Sequence, residues 1–163
     1  MRRTVVISSA VVVAAAAITI NAAQASPVVR SSGSGAAGHA SSSITVVERA
    51  VTDTYVDVGP SGDSRGDLLT FANPVYDRTN SRQVGRDNGS CIRTAVGRAW
   101  ECSWTTMLPG GSLVVEGPFY DTHDSVLAIT GGTGDYSRAR GEMRLHARNS
   151  KGTAFTFGFK VED

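Results

Sequence analysis

Leu127-Ala128-Ile129-Thr130-Gly131-Gly132-Thr133-Gly134-Asp135-Tyr136-Ser137-Arg138-Ala139-Arg140-Gly141 is the stretch that decides the fold. A short apolar strand stops at a glycine pair, tightens through one compact turn and restarts as extended chain. Three glycines fall within Gly131–Gly134, and glycine is required where the backbone takes positive φ or another segment approaches closely. A phosphate-binding loop needs a lysine and a following helix, and neither is present. The run therefore reads as a structural corner between two antiparallel strands, with Arg140 as its brace.

Working outward, β-type segments follow one another with short turn signals between them. They are Ile44–Val58, Asp67–Tyr76, Gln83–Ala95, Ala99–Leu108, Ser112–Tyr120, Ser125–Thr130, Glu142–Asn149 and Thr153–Val161. Period-two alternation is clearest at the end, where Phe155, Phe157, Phe159 and Val161 share one face and Thr156, Gly158 and Lys160 the other. Gly59-Pro60-Ser61-Gly62-Asp63, Pro109-Gly110-Gly111 and Asn149–Gly152 carry turn residues. No segment sustains a helical period. Eight strands with short antiparallel connections predict an all-β protein, an eight-stranded antiparallel β-barrel with room for side chains or one small ligand.

The termini bound the context. Met1-Arg2-Arg3, a charge-free apolar run from Thr4 to Ile20 and Ala23-Gln24-Ala25 have the form of a cleavable export signal over residues 1–25. The Ala-x-Ala site and the lack of a basic stop-transfer flank argue against a stable membrane anchor, so the expected location is secreted, extracellular or in the cell envelope. Residues 26–43 are mostly serine, glycine and alanine, a flexible tether by composition. Residues 44–163 are long enough for one domain with a single core. Without Arg2 and Arg3 the 16 basic residues become 14, against 15 acidic ones. A near-neutral chain with no basic run excludes nucleic acid as a natural partner.

Few residues offer chemistry. His39, His123 and His146 lack ligand spacing, so no metal is expected, and no Gly-x-Ser-x-Gly elbow is present. Cys91 and Cys102 lie on consecutive strands and would face one another across a short turn. An exported chain permits a disulfide there, with two separate buried thiols as the alternative. Asn73 sits inside an apolar stretch next to Pro74. It is either a structural hydrogen-bonding residue near a bulge or a donor aimed at a ligand. Trp100 and Trp104 share parity with Cys102 and fill or line the interior. Arg93 shares parity with Cys91, so it either pairs with an interior acid or marks an end of the strand open to solvent.

Several blocks resemble a known family. Gly66-Asp67-Leu68-Leu69-Thr70-Phe71-Ala72-Asn73-Pro74-Val75-Tyr76 resembles the second-strand motif of allene oxide cyclases, and Val84-Gly85-Arg86 with Gly89-Ser90-Cys91 the next block. Gly117-Pro118-Phe119-Tyr120 and Asp124-Ser125-Val126-Leu127-Ala128-Ile129-Thr130-Gly131-Gly132 are similar to that family in order and spacing. Thr133-Gly134-Asp135-Tyr136 through Ala139-Arg140-Gly141 resembles plant dirigent proteins, which share the barrel. The resemblance implies a barrel, usually a homotrimer, whose lumen holds a small hydrophobic ligand. It implies a cofactor-independent cyclase or isomerase, or a dirigent-type guide for radical coupling.

By that resemblance the lumenal asparagine falls on Asn73 and the lumenal cysteine on Cys91, whose free-thiol role disappears if it is bonded to Cys102. The lumenal tyrosine position holds Phe119, with Tyr120 adjacent as a possible donor. Arg140 falls on the dirigent arginine. Glu48, Asp53 and Pro60 are candidates for the first-strand polar residues. The expected site therefore has Asn73 and Tyr120 as catalytic groups and Phe71, Asn73, Cys91, Trp104, Phe119 and Arg140 as substrate contacts. The expected function is directed cyclisation or stereoselective coupling without a cofactor. The alternative is a non-enzymatic barrel that carries a lipid or aromatic compound.

Overall fold

The computed structural model describes residues 41–162. The export signal and most of the tether lie outside the described residues; Ser41–Ser43, read as its end, open the first strand. The strands are β1 (Ser41–Arg49), β2 (Thr54–Val56), β3 (Leu68–Phe71), β4 (Pro74–Tyr76), β5 (Gln83–Ala95), β6 (Ala99–Leu108), β7 (Gly111–Tyr120), β8 (Ser125–Gly134), β9 (Arg140–Ala147) and β10 (Ala154–Glu162). All pairings are antiparallel, and β5–β6 closes the sheet on itself. Eight staves result, because β3 and β4 are two halves of one stave that both pair with β5. β2 lies against the free side of β3. The protein is an all-β, eight-stranded antiparallel barrel, as the alternation predicts.

Closure leaves one face of each strand inside. Phe157, Phe159, Leu113, Leu127, Met143 and Val115 are fully buried in the interior. Each such side chain contributes about 1.5–3 kcal/mol by leaving water. Barrel closure also removes the sheet edges that would otherwise invite pairing with other chains.

Three boundaries differ from the sequence reading, each for a local reason. Ile44–Val58 is not one strand: after Arg49 the backbone N–H groups of Val51 and Thr52 leave the ladder to donate to Asn73 Oδ1, both at 2.9 Å. The second stave breaks at Ala72–Asn73, between β3 and β4. The glycine run is strand rather than turn. β8 continues through Gly134 opposite Gly111–Val114, with a bulge that leaves Thr130 out of the ladder, and the reversal is Asp135–Arg138. Glycine is needed because a Cβ on Gly132 would collide with the carbonyl oxygens of Ser112 and Tyr136. Gly134, at φ +59°, packs its Cα side against Gly110 O. The glycines thus permit close approach of two staves.

At one end of the barrel Arg93, itself buried, pairs with two acids from exposed loops rather than from the interior. Its guanidinium meets Asp63 at 2.6 Å and Asp121 at 2.7 Å and stacks over the Trp100 ring, 4.0 Å from its centroid. Gly97 N–H donates to the other Asp63 oxygen at 2.7 Å. The loop after β2 is thereby tied across that end instead of leaving it open to water.

Candidate active site in the barrel lumen

A cavity of about 150 Å³ occupies the lumen. Its volume suits a small molecule, or one end of a longer one. Inward positions of β3, β6, β7 and β10 supply Phe71, Trp104, Phe119, Phe155 and Phe157, with Leu69 and Leu145 between them. The rings brace one another: Phe71 meets Trp104 nearly edge-on at 6.0 Å, and Phe119 meets Phe155 at 5.8 Å and 82°. Such pairs are worth about 0.5–1.5 kcal/mol beyond area burial and fix the shape of the wall. Gly89, opposite Trp104 in the ladder, leaves room for the indole, since a Cβ there would collide with Trp104 Cβ and Ser103 O. Trp104 Nε1 is buried with no hydrogen-bond partner among the described residues.

Cys91 and Cys102 are direct ladder partners and form a disulfide that lines the cavity. No free thiol remains, so the nucleophile or donor that a lumenal cysteine would provide is absent.

The polar end of the cavity is built by Asn73, though Asn73 is not in its wall. The side chain is fully buried at the β3–β4 break. Its Oδ1 accepts from Val51 N, Thr52 N and Thr52 Oγ1 at 2.9–3.0 Å. Its Nδ2 donates to Glu48 Oε1 at 2.8 Å and Asp53 Oδ1 at 2.9 Å. Both amide hydrogens are used and none is left for a ligand. Asn73 therefore orients the two carboxyl groups that do reach the cavity, Glu48 and Asp53.

Glu48 is a buried acid with a buried acidic neighbour. Asp87, on β5, is fully buried, accepts Asn73 N–H on Oδ1 at 3.2 Å, and has no donor among the described residues for Oδ2. Burial, then the charge of Asp87, and more weakly that of Asp53, hold the Glu48 carboxyl well above the usual carboxylate range. The hydrogen bond from Asn73 opposes them. Burial also pushes Asp87 up to about 7, against the N–H bond from Asn73 and the hydrogen bond from Glu48. Glu48 is thus held toward its neutral form, in which a carboxyl is able to donate as well as accept.

The remaining expected site residues lie elsewhere. Tyr120 is half-buried, stacks on His123 with ring centroids 4.4 Å apart and is not in the cavity wall. Arg140 is exposed, with Nη1 donating to the Ala139 carbonyl at 2.6 Å, also outside the cavity. Pro60 lies in an exposed loop. Tyr55 and Lys151 stand at the cavity although the sequence did not single them out. Asp87 was missed too, but a signal existed: it precedes Cys91 by four residues, so period-two parity puts its charge inside. Among the described residues no group of three or more His, Cys, Asp or Glu is arranged to hold a metal ion.

No protein-family model matches the chain. Solved structures with the same fold include a pyocyanin demethylase, 23% identical with a TM-score of 0.64 over 74% of this chain and 99% of that one. The pterocarpan synthase dirigent protein PsPTS1 is 15% identical with a TM-score of 0.60, covering 76% of this chain and 94% of that one. The Diels-Alderase AbmU from Streptomyces koyangensis is 10% identical with a TM-score of 0.59, covering 78% and 70%. The fold is therefore the barrel shared by dirigent proteins and cyclases.

Proposed function

We propose that the lumen binds a small, largely apolar molecule carrying one oxygen function and directs its cyclisation or coupling without a cofactor. The observation that carries this reading is Trp104 Nε1, a buried donor without a partner in the wall of an aromatic cavity. An unpaired buried N–H costs about 1–3 kcal/mol, which a ligand acceptor recovers. Glu48, whose carboxyl is held toward its neutral form, lines the same cavity. Braced rings hold a flexible substrate in the conformer from which it closes, and the polar groups stabilise negative charge as it develops on oxygen. The disulfide leaves no thiol in the wall, and orientation and hydrogen bonding are what these residues supply. The disulfide accords with an exported protein. The structural neighbours, a dirigent protein and a Diels-Alderase among them, support directed bond formation as the kind of reaction.

Freshly generated allene oxide, with the cyclopentenone product resolved by chiral chromatography, tests the reading. The wild type is expected to give an enantiomeric excess that Glu48→Gln reduces about tenfold in rate. Racemic product at the uncatalysed rate would contradict ring closure of that substrate. A ligand bound and recovered unchanged would identify a carrier instead.

A further inference from the structure

Behind the cavity wall, two acids face each other without a cation between them. Asp87 is fixed on β5 by two bonds to Asn73: its N–H donates to Asn73 O at 2.9 Å and its Oδ1 accepts Asn73 N–H at 3.2 Å. Glu48 comes from β1 and is fixed by Asn73 Nδ2. Asn73 thus holds both carboxyl groups, Glu48 through Nδ2 and Asp87 through its backbone N–H, and two buried carboxylates so placed do not both stay ionised without a cation. Asp87 Oδ2 is buried with no donor among the described residues, and a proton held by the pair supplies one. The other charge acting on both is Asp53, from the β1–β2 connection. From β6, Thr106 lies directly opposite Asp87 in the ladder; its buried hydroxyl has no partner among the described residues. Lys151 stands at the cavity from the β9–β10 turn and is not among the charges acting on the pair.

We propose that Asp87 is a positioning residue of the lumenal site: it keeps a proton on Glu48, so that the cavity takes molecules presenting a carbonyl or ether oxygen in preference to flat cations. This rests on the reading of the lumen as a ligand site. A carboxylate at the end of an aromatic cavity would select a cation, through its charge and through cation–π attraction to the rings. A carboxylic acid there does not carry that charge and donates its hydrogen to an acceptor oxygen. Asp87 touches no ligand; it acts through Glu48.

Two measurements on the full-length protein test the proposal. The first follows the ¹³C-labelled glutamate carboxyls by NMR across pH in wild type and Asp87→Asn. The Glu48 resonance is expected to titrate lower in the variant by at least about one pH unit, because a like charge is replaced by an amide donor. An unchanged Glu48 titration would overturn the proposal. The second compares two flat bicyclic probes, 1,4-naphthoquinone and N-methylquinolinium; the first has no free thiol to react with here. Wild type is expected to prefer the quinone by about tenfold at about pH 8, where Asp87 carries its charge, and Asp87→Asn to lose the preference there.

Equal selectivity in the two proteins would also overturn the proposal. If Asp87→Asn fails to fold, the wild-type titration decides: a Glu48 resonance that titrates in the ordinary glutamate range would overturn the proposal. Binding by neither probe, with the titration shifted as expected, would strike the ligand reading while upholding the hold of Asp87 on the Glu48 proton.

Discussion

Asn73→Ala is expected to lower the stability of the barrel by about 4 kcal/mol, seen as a fall in Tm of about 15 °C. The amide makes five hydrogen bonds, all to the end of β1 and the connection after it, at Glu48, Val51, Thr52 and Asp53. At about 1 kcal/mol net for each, the sum is near 5 kcal/mol. Val51, Thr52 and Asp53 are exposed and recover part of it through water. Glu48 is not exposed, so the loss of its donor is felt in full. Thermal denaturation followed by circular dichroism reads the effect. A shift of only a degree or two would mean that Asn73 does not anchor the β1–β2 connection.

Raising the pH from about 5 to about 8.5 is expected to cost stability on the order of 3 kcal/mol through Asp87. Asp87 moves from an ordinary value of 3.8 to about 7 in the folded protein, and Glu48 moves in the same direction. Folding therefore takes up protons above the unfolded carboxyl range. Stability from these groups is complete below about pH 4 and is lost as pH rises through about 7. Two other carboxylates run the opposite way. Hydrogen bonds from Ser81 and its neighbours bring Asp77 down to about 2, and bonds from the Ser64 and Val58 N–H groups lower Asp67. Their contribution is present above the ordinary range and disappears only as pH falls toward 2, so the two effects do not overlap. Urea midpoints measured from about pH 4 upward should be highest near pH 4 and fall on the alkaline side. Asp87→Asn should flatten that alkaline limb. A midpoint that is level or rises from pH 5 to 8.5 would contradict the buried pair.

Much of the barrel was legible because period-two alternation is a local property. Phe155, Phe157, Phe159 and Val161 occupy the inward positions that their spacing predicts, all buried. The glycine run marked a close approach, yet its sequence did not distinguish a turn from a strand packed against another strand's carbonyls. That distinction depends on Ser112, Tyr136 and Gly110, which meet the run only in the folded barrel. Phe71, Trp104 and Phe119 were placed in the cavity wall by motif and parity, and they line it.

The polar end was harder to read. Asn73 was legible as a residue out of place, but its partners lie 20 to 25 positions earlier in sequence. Only the break after Arg49 brings them to it. Arg93 likewise looked like a charge at an open end, because Asp63 and Asp121 arrive from loops 30 and 28 positions away. Parity locates a buried charge; it does not supply the partner.

The central claim is that the aromatic lumen is a ligand site, and intrinsic fluorescence tests it most directly. The chain has two tryptophans, so Trp100→Phe leaves Trp104, in the cavity wall, as the sole reporter. Titration with 1,4-naphthoquinone is expected to quench that emission saturably, with a dissociation constant of about 1–100 μM. Adding Leu145→Phe, which narrows the cavity from β9, should weaken binding by about tenfold or more with the fold retained. Quenching that stays linear with concentration, or is the same in the narrowed variant, would contradict a ligand site in the lumen.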